Sequence, residues 1–406
     1  MENHKRLLAT MVTLGLLLFV VGCGSAAETA KPTPGQGAAQ ATGGQATAKT
    51  LKIGSVMTTS GASASMGTEA LRGLQYAVKS VNGKGGFDVG GQKYNLELVQ
   101  YDDSSQADVA VTNIQRLIEQ DKVKIIFSPP ASTAALAGLK VTEAAKVIYF
   151  STVAAAPGLT DGSAKYSFRN TPTAAQAQAA VVQAMQSMKL ANGAILARND
   201  DWGKSGALET KKNMDKLGIR IVAEEYFAPG TKDMYSLLTK VKAQNPASLV
   251  VMAINEDGVP LVKQAKELGM NIPIFGAVVW NSPDFLNALG DAGKENIYAY
   301  SSAATSKNDK ITAFEQDFQR VMGTQSQTYD KNCYDAVLIM VEAMKMAGSV
   351  DDTDKIADAL HKIQYNGVLG AYSFRPDGQG RVQVNVNKMV DGKPVPVMEI
   401  PGEKLD

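Results

Sequence analysis

Residues 248–255 read Ser-Leu-Val-Val-Met-Ala-Ile-Asn, and residues 194–197 read Ala-Ile-Leu-Ala. Near-continuous apolar runs of this length suit strands covered on both faces, the signature of a parallel sheet between helices. Working outward, the same alternation fills the chain. Leu51–Thr58 reads as a strand and Thr68–Val81 as an amphipathic helix; Asn95–Tyr101 as a strand and Gln106–Gln120 as a helix; then Val123–Phe127, Ala134–Ala145 and Val147–Ser151. A second series follows Arg169-Asn170-Thr171-Pro172, with strands at Ala194–Arg198, Arg220–Tyr226, Ser248–Asn255 and Ile272–Val278 and helices between them. Repeated strand–helix alternation predicts α/β architecture in two doubly wound, Rossmann-like lobes.

The last third breaks this rhythm. Ile311–Met322, Tyr334–Met346 and Asp354–Ile363 read as helices, the last capped from Asp351–Thr353, and Arg381–Val390 alternates like a late strand with one wet face. Lobes that each draw on two distant stretches account for this. The expected crossings lie near Arg169–Pro172, Tyr300–Ser302 and Ala371–Gly380, and three crossovers make a hinge. The expected division is 51–170 with 303–372 for the N-terminal lobe and 171–302 with 373–406 for the C-terminal lobe.

The N-terminus carries its own message. Lys5 and Arg6 precede an uncharged apolar run, Leu7 to Gly22, shorter than the ~20 residues of a spanning helix. The run ends Val20-Val21-Gly22-Cys23, which resembles a bacterial lipobox: residues 1–22 are read as a lipoprotein signal peptide and Cys23 as the lipidated residue. Residues 23–50 lack aromatic residues and, up to Lys49, large aliphatics, so they are read as a disordered tether. The expected location is extracytoplasmic, lipid-anchored to the outer face of the cytoplasmic membrane or in the periplasm.

Composition narrows the function. Without Lys5, Arg6 and Glu2, the 41 basic and 40 acidic residues become 39 of each, a balance that gives no electrostatic reason to seek nucleic acid. Past residue 22 the chain holds one histidine, His361, and one cysteine besides Cys23, namely Cys333. That set supplies neither a zinc site of ordinary ligands nor a Ser-His-Asp or Cys-His centre, so no catalytic residue, metal or cofactor is assigned. Cys333 is read as a buried, inert thiol and His361 as solvent-facing. Arg198–Ser205 ends like a phosphate-binding loop, but Asp200 and Asp201 stand where phosphate would lie, which argues against nucleotide. The pair Asp102-Asp103 closes a strand and is read as loop or capping residues.

Several stretches together resemble one family: Ile53-Gly54, Thr59-Ser60-Gly61, Gly67, Gly73 to Asn82, Gly85-Gly86, Tyr101-Asp102-Asp103, Ser132-Thr133, Ser151, Pro157 with Leu159-Thr160, Phe168-Arg169, Gly203, Gly276, Tyr334, and Phe374 with Asp377-Gly378. In this order and spacing they are similar to the Leu/Ile/Val-type substrate-binding proteins of ABC importers, with the type I periplasmic-binding fold. The resemblance implies a monomeric, non-enzymatic receptor that closes over a small solute and delivers it to a permease and its ATPase. A ligand-sensing ectodomain of a signalling system is the alternative reading.

The resemblance also locates the ligand. Ser128 to Ser132 lies between a strand end and a helix start, where free N–H groups attract a carboxylate, and Ser151 to Ala156 follows the next strand in the same way. The residues expected at the ligand are Met66, Ser128, Pro130, Ala131, Ser132, Ala154, Ala155, Trp202, Asn255, Val278, Trp280 and Tyr329, with Asn281 as a further candidate. The family's carboxylate-binding serine falls on Pro130, its head-group threonine on Ala155, and the acid that holds the ligand ammonium near Val278. Burying an unpaired ammonium costs several kcal/mol. The expected ligand is therefore an aromatic or other flat organic acid rather than leucine, isoleucine or valine, covered by the two tryptophans.

Overall fold

A computed structural model describes residues 47–293, 295–302 and 309–405. The expected signal peptide, Cys23 and nearly all of the expected tether lie outside the described residues.

The first half of the chain forms β1 (Lys49–Met57), α1 (Ala64–Gly83), β2 (Phe87–Val89), β3 (Gln92–Asp102), α2 (Ala107–Glu119), β4 (Ile125–Phe127), α3 (Ser132–Ala144), β5 (Ile148–Ser151) and β6 (Ser167–Arg169). It continues with α4 (Ala174–Ser187), β7 (Asn192–Arg198), α5 (Asp201–Lys216), β8 (Arg220–Phe227), α6 (Tyr235–Lys242), β9 (Leu249–Met252), α7 (Asn255–Glu267), β10 (Ile274–Gly276), α8 (Pro283–Leu289) and β11 (Ile297–Ser301). Then come α9 (Asp309–Met322), α10 (Thr328–Ala347), α11 (Thr353–Lys362), the short pair β12 (Tyr365–Asn366) and β13 (Ala371–Tyr372), β14 (Val384–Val390) and β15 (Lys393–Ile400).

The strands make two large sheets, as the apolar runs predict. The first has the order β2-β3-β1-β4-β5-β6, and the second β15-β14-β11-β10-β9-β7-β8. All pairings from β3 to β6 and from β8 to β11 are parallel; β2, β14 and β15 join antiparallel. β4 and β9 are buried at every residue, which explains their unbroken apolar sequence. The chain leaves the first sheet after β6, leaves the second after β11, and returns to the second before β14. Helices α1 and α10 pack closely because Gly73 lacks a side chain: a Cβ there would lie 2.6 Å from the Asp330 carbonyl oxygen. The strand order reverses between β1 and β4 and again between β7 and β9. Such switch points open a crevice at the carboxyl ends of the strands.

Some expectations are corrected. The strand read over Ser248–Asn255 stops at Met252, and Asn255 opens α7. Val278 begins a short 3₁₀ helix, Val278–Asn281, rather than ending a strand. β14 has no wet face over its first four residues: β11 and β15 flank it, and Asn385 and Asn387 are as buried as Val384 and Val386. Asn387 is accommodated by donating to Asn281 Oδ1 (2.7 Å) and Ser301 Oγ (3.2 Å). His361 does not face solvent freely. Its ring lies 5.0 Å from that of Phe168, and its Nδ1 is 3.2 Å from the Arg375 carbonyl oxygen.

Candidate functional site

A cavity opens where the two switch points meet. Ser63 and Met66 follow β1, Pro130 to Ser132 follow β4, and Val153 to Ala155 follow β5. From the second sheet, Arg198, Asp200 and Trp202 follow β7, Ile254 follows β9, Ala277 to Val279 follow β10, and Tyr300 and Ser302 close β11. Thr171 and Pro172 of the first crossover and Tyr329 and Asn332 of α10 complete the wall. Counted as room for the centres of water-sized molecules, the free space is about 40 Å³. That holds about three waters at ~10–15 Å³ each, so the crevice is nearly shut.

One end of the cavity suits an anion. Helix α3 starts from Ala131 with no side-chain cap, so the first-turn N–H groups have no capping oxygen. Ser132 Oγ accepts from the main-chain N–H of Ala155 (3.3 Å) and Ala156 (3.2 Å). With both lone pairs engaged, the hydroxyl hydrogen of Ser132 is its remaining means of bonding, and no acceptor for it occurs among the described residues.

The charges that the β7–α5 turn brings to the wall neutralise one another. Arg198, 3% exposed, has Nε 3.1 Å from Asp200 Oδ2 and 3.6 Å from Asp257 Oδ2, and it donates from Nη2 to Ser63 Oγ (3.2 Å). Asp200 also caps α5 by accepting from the Gly203 N–H at 2.8 Å. Burial pushes the Asp257 carboxyl up to about 6 against the pull of Arg198 and of the Gly230 and Ile254 N–H groups. Burial likewise pushes Tyr300 up to about 12 and raises Tyr329 well above the usual phenol range, so both phenols stay protonated.

Nine of the twelve expected residues line this one cavity: Met66, Pro130, Ala131, Ser132, Ala154, Ala155, Trp202, Val278 and Tyr329. Three do not. Ser128 turns its hydroxyl to the carbonyl of its neighbour Pro129, at 3.2 Å. Asn255 lies one residue past the lining Ile254, at the start of α7. Trp280 is fully buried: its indole stacks on Phe285 at 4.7 Å, donates to the Ala253 carbonyl at 2.9 Å, and fills space that side chains at Gly258 and Gly276 would occupy. The further candidate Asn281 also lies outside the wall, with its amide nitrogen on the carbonyls of Val278 (2.9 Å) and Tyr300 (2.8 Å).

Sequence reasoning missed Arg198 and Asp200 as wall residues, and it missed Ser63, Thr171, Tyr300, Ser302 and Asn332. The first two sit in the loop set aside as a false phosphate motif. The others come from crossovers and from the α1 and α10 ends, where no local motif marks them.

The family model described as periplasmic binding protein matches residues 50–393. Leu/Ile/Val-binding protein homolog 7 of Brucella abortus is 30% identical over 344 residues, spanning 80% of this chain and 85% of the relative. Among solved structures, the branched-chain amino acid substrate-binding protein LivJ of Streptococcus pneumoniae, in complex with isoleucine, is 26% identical with a TM-score of 0.77, covering 87% of this chain and 99% of that one. A solute-binding protein of an ABC transporter from R. palustris, in complex with benzoate, shares the fold at 20% identity, with a TM-score of 0.80 and coverage of 87% and 97%. The chain therefore belongs to the periplasmic binding protein family, the extracytoplasmic solute-binding components of ABC importers.

Proposed function

We propose that the cavity binds a small, flat organic acid, that the two sheets close over it, and that the closed form passes it to an ABC permease and its ATPase. The observation that carries this reading is the anion end of the cavity: the uncapped start of α3 beside the unspent hydroxyl hydrogen of Ser132. A carboxylate there would gain charge-assisted bonds and the favourable end of the helix dipole. Pro130, Ala131, Val153, Ala154, Ala277 and Val278 make flanking walls without charge, and Trp202 offers a flat face. The benzoate complex of the R. palustris relative supports an aromatic acid as a ligand this fold can hold.

Val278, where the family's ammonium-binding acid falls, has no charge to offer. Asp200 favours a second reading, an α-amino acid, because it is a carboxylate on the same wall. Its pairing with Arg198 and the Gly203 N–H makes it the poorer partner. The lobes are assigned as 51–170 with 303–372 and 171–302 with 373–406, supported by the three sheet-to-sheet passages. Attachment through Cys23 is proposed from the sequence of residues 1–23.

A thermal-shift screen separates the readings. At 100 times its Kd, a ligand of the folded form adds ~2.7 kcal/mol, which in a protein of this size raises Tm by several degrees. Benzoate and hydroxybenzoates should do so, while leucine, isoleucine and valine should not. Stabilisation by the amino acids alone, lost in Asp200→Asn, would establish the second reading.

A further inference from the structure

We propose that the solute carries, besides its carboxylate, a hydroxyl group that Asn332, Thr171 and Ser302 recognise at the hinge side of the cavity, so that the ligand class is a hydroxylated aromatic acid. This rests on the reading of the cavity as an acid-binding site.

The three residues come from separate segments. Asn332 is on α10 and 1% exposed; Thr171 is in the first crossover, and Ser302 just follows β11. All line the cavity, and all are buried. Among the described residues, neither the amide nitrogen nor the amide oxygen of Asn332 has a hydrogen-bond partner, and neither hydroxyl oxygen of Thr171 and Ser302 has one. Twelve buried side-chain atoms of the described residues lack hydrogen-bond partners, and five of them, these four and Arg198 Nε, belong to residues lining one small cavity. Leaving such groups unpaired is costly, so folded proteins rarely cluster them without an occupant.

The chemistry of the set defines the occupant. Asn332 presents a donor and an acceptor together, and the hydroxyls can do either. A phenolic hydroxyl donates and accepts at one atom and answers both halves of the amide. A bare ring edge answers neither and removes the cavity's water as well. The backbone here is held in place, since Asn170 Nδ2 donates to the Asn332 carbonyl at 2.9 Å. This set is separate from Ser132, whose lone pairs are used by Ala155 and Ala156. A site built to pair with a hydroxyl rejects the analogue lacking it far more strongly than a pocket rejects one methylene.

The test is calorimetric titration of the full folded protein with benzoate, 3-hydroxybenzoate and 4-hydroxybenzoate. At least one hydroxylated isomer should bind tenfold or more tightly than benzoate. In Asn332→Ala that preference should shrink below threefold. Thr171→Val, close to isosteric, repeats the test should Asn332→Ala fail to fold, and its preference should also fall. Equal or tighter binding of benzoate by the unaltered protein overturns the proposal and leaves the acid-binding reading standing. Binding of none of the three, with stabilisation by amino acids instead, overturns both.

Discussion

Replacing Glu256 by alanine should free the bound solute faster without much slowing its capture. Helix α1 packs with the first sheet, and its N-cap residue Ser63 makes no side-chain cap bond. The missing cap comes from across the cleft. Glu256, in the first turn of α7 beside the second sheet, accepts from the Ser65 N–H (2.8 Å) and the Ser65 hydroxyl (2.9 Å). On the proposed closure, the carboxylate would meet the positive end of α1 only in the shut form. A hydrogen bond to a charged group is worth ~1.5–3 kcal/mol, and a charge at a helix end ~0.3–1 kcal/mol. The pair is partly solvated, so the lower part of the range applies: ~2 kcal/mol in the closing equilibrium, a factor of about 30.

If closure traps the solute, that factor falls on the dissociation rate, because the open form is the one that binds first. Stopped-flow tryptophan emission with displacement by a competing acid measures it. Ser65→Ala removes one of the two bonds and should give a smaller increase. The double variant Glu256→Ala, Ser65→Ala should be no worse than Glu256→Ala alone, since the pair shares one contact. A dissociation rate within twofold of the unaltered protein, or additive effects in the double variant, would refute the trans-capping argument.

The tryptophans should separate cleanly. Trp202→Phe should abolish the ligand-induced emission change, whereas Trp280→Phe should keep it; Trp280→Ala should lower stability by ~3–5 kcal/mol, read by urea denaturation. Glu69, buried against α10, is pushed up to about 8, first by burial and then by the charge of Asp330, against the Tyr329 N–H, Arg72 and Lys331. The folded state therefore holds a proton that the unfolded chain has lost, and stability falls as pH rises towards that value. Between pH 6.5 and 8.5, above the values of about 6 reached by Asp257 and Asp335, Glu69→Gln should flatten the fall; an unchanged slope in urea titrations counts against it. Cys23→Ser should release the protein from membranes into a soluble fraction, and persistent sedimentation with membranes would refute lipid attachment at that thiol.

How much was legible in the sequence follows from the range of the forces involved. β4, β5 and β9 announce themselves because burial on both faces leaves no polar position to break the run. The anion end was legible because a strand end followed by a helix start produces unpaired N–H groups whatever the rest of the chain does. Ser128 and Ser132 look alike in sequence, four residues apart, yet only one lines the cavity. The choice is made by Ala155 and Ala156, whose N–H groups approach Ser132 from the β5 loop. His361 was misjudged for the same reason: its helix shows an apolar face, but Phe168 reaches it from another part of the chain.

Trp280 carries the sharper lesson. Two tryptophans in second-sheet loops looked equivalent as ligand contacts. What distinguishes them is Gly258 and Gly276, where a Cβ would stand 2.8 Å and 2.0 Å from the Trp280 indole. A glycine in the first turn of α7 and another at the end of β10 make a slot of indole size, and a buried indole N–H needs an acceptor, which the Ala253 carbonyl provides. Trp202 has no such slot and remains half-buried at the cavity wall. The same reasoning bears on specificity. Trp280 satisfies its indole N–H within the protein, whereas the side-chain polar atoms of Asn332, Thr171 and Ser302 find no partner among the described residues. On the proposed closure, the groups left unpaired inside the cleft are the ones a solute would pair.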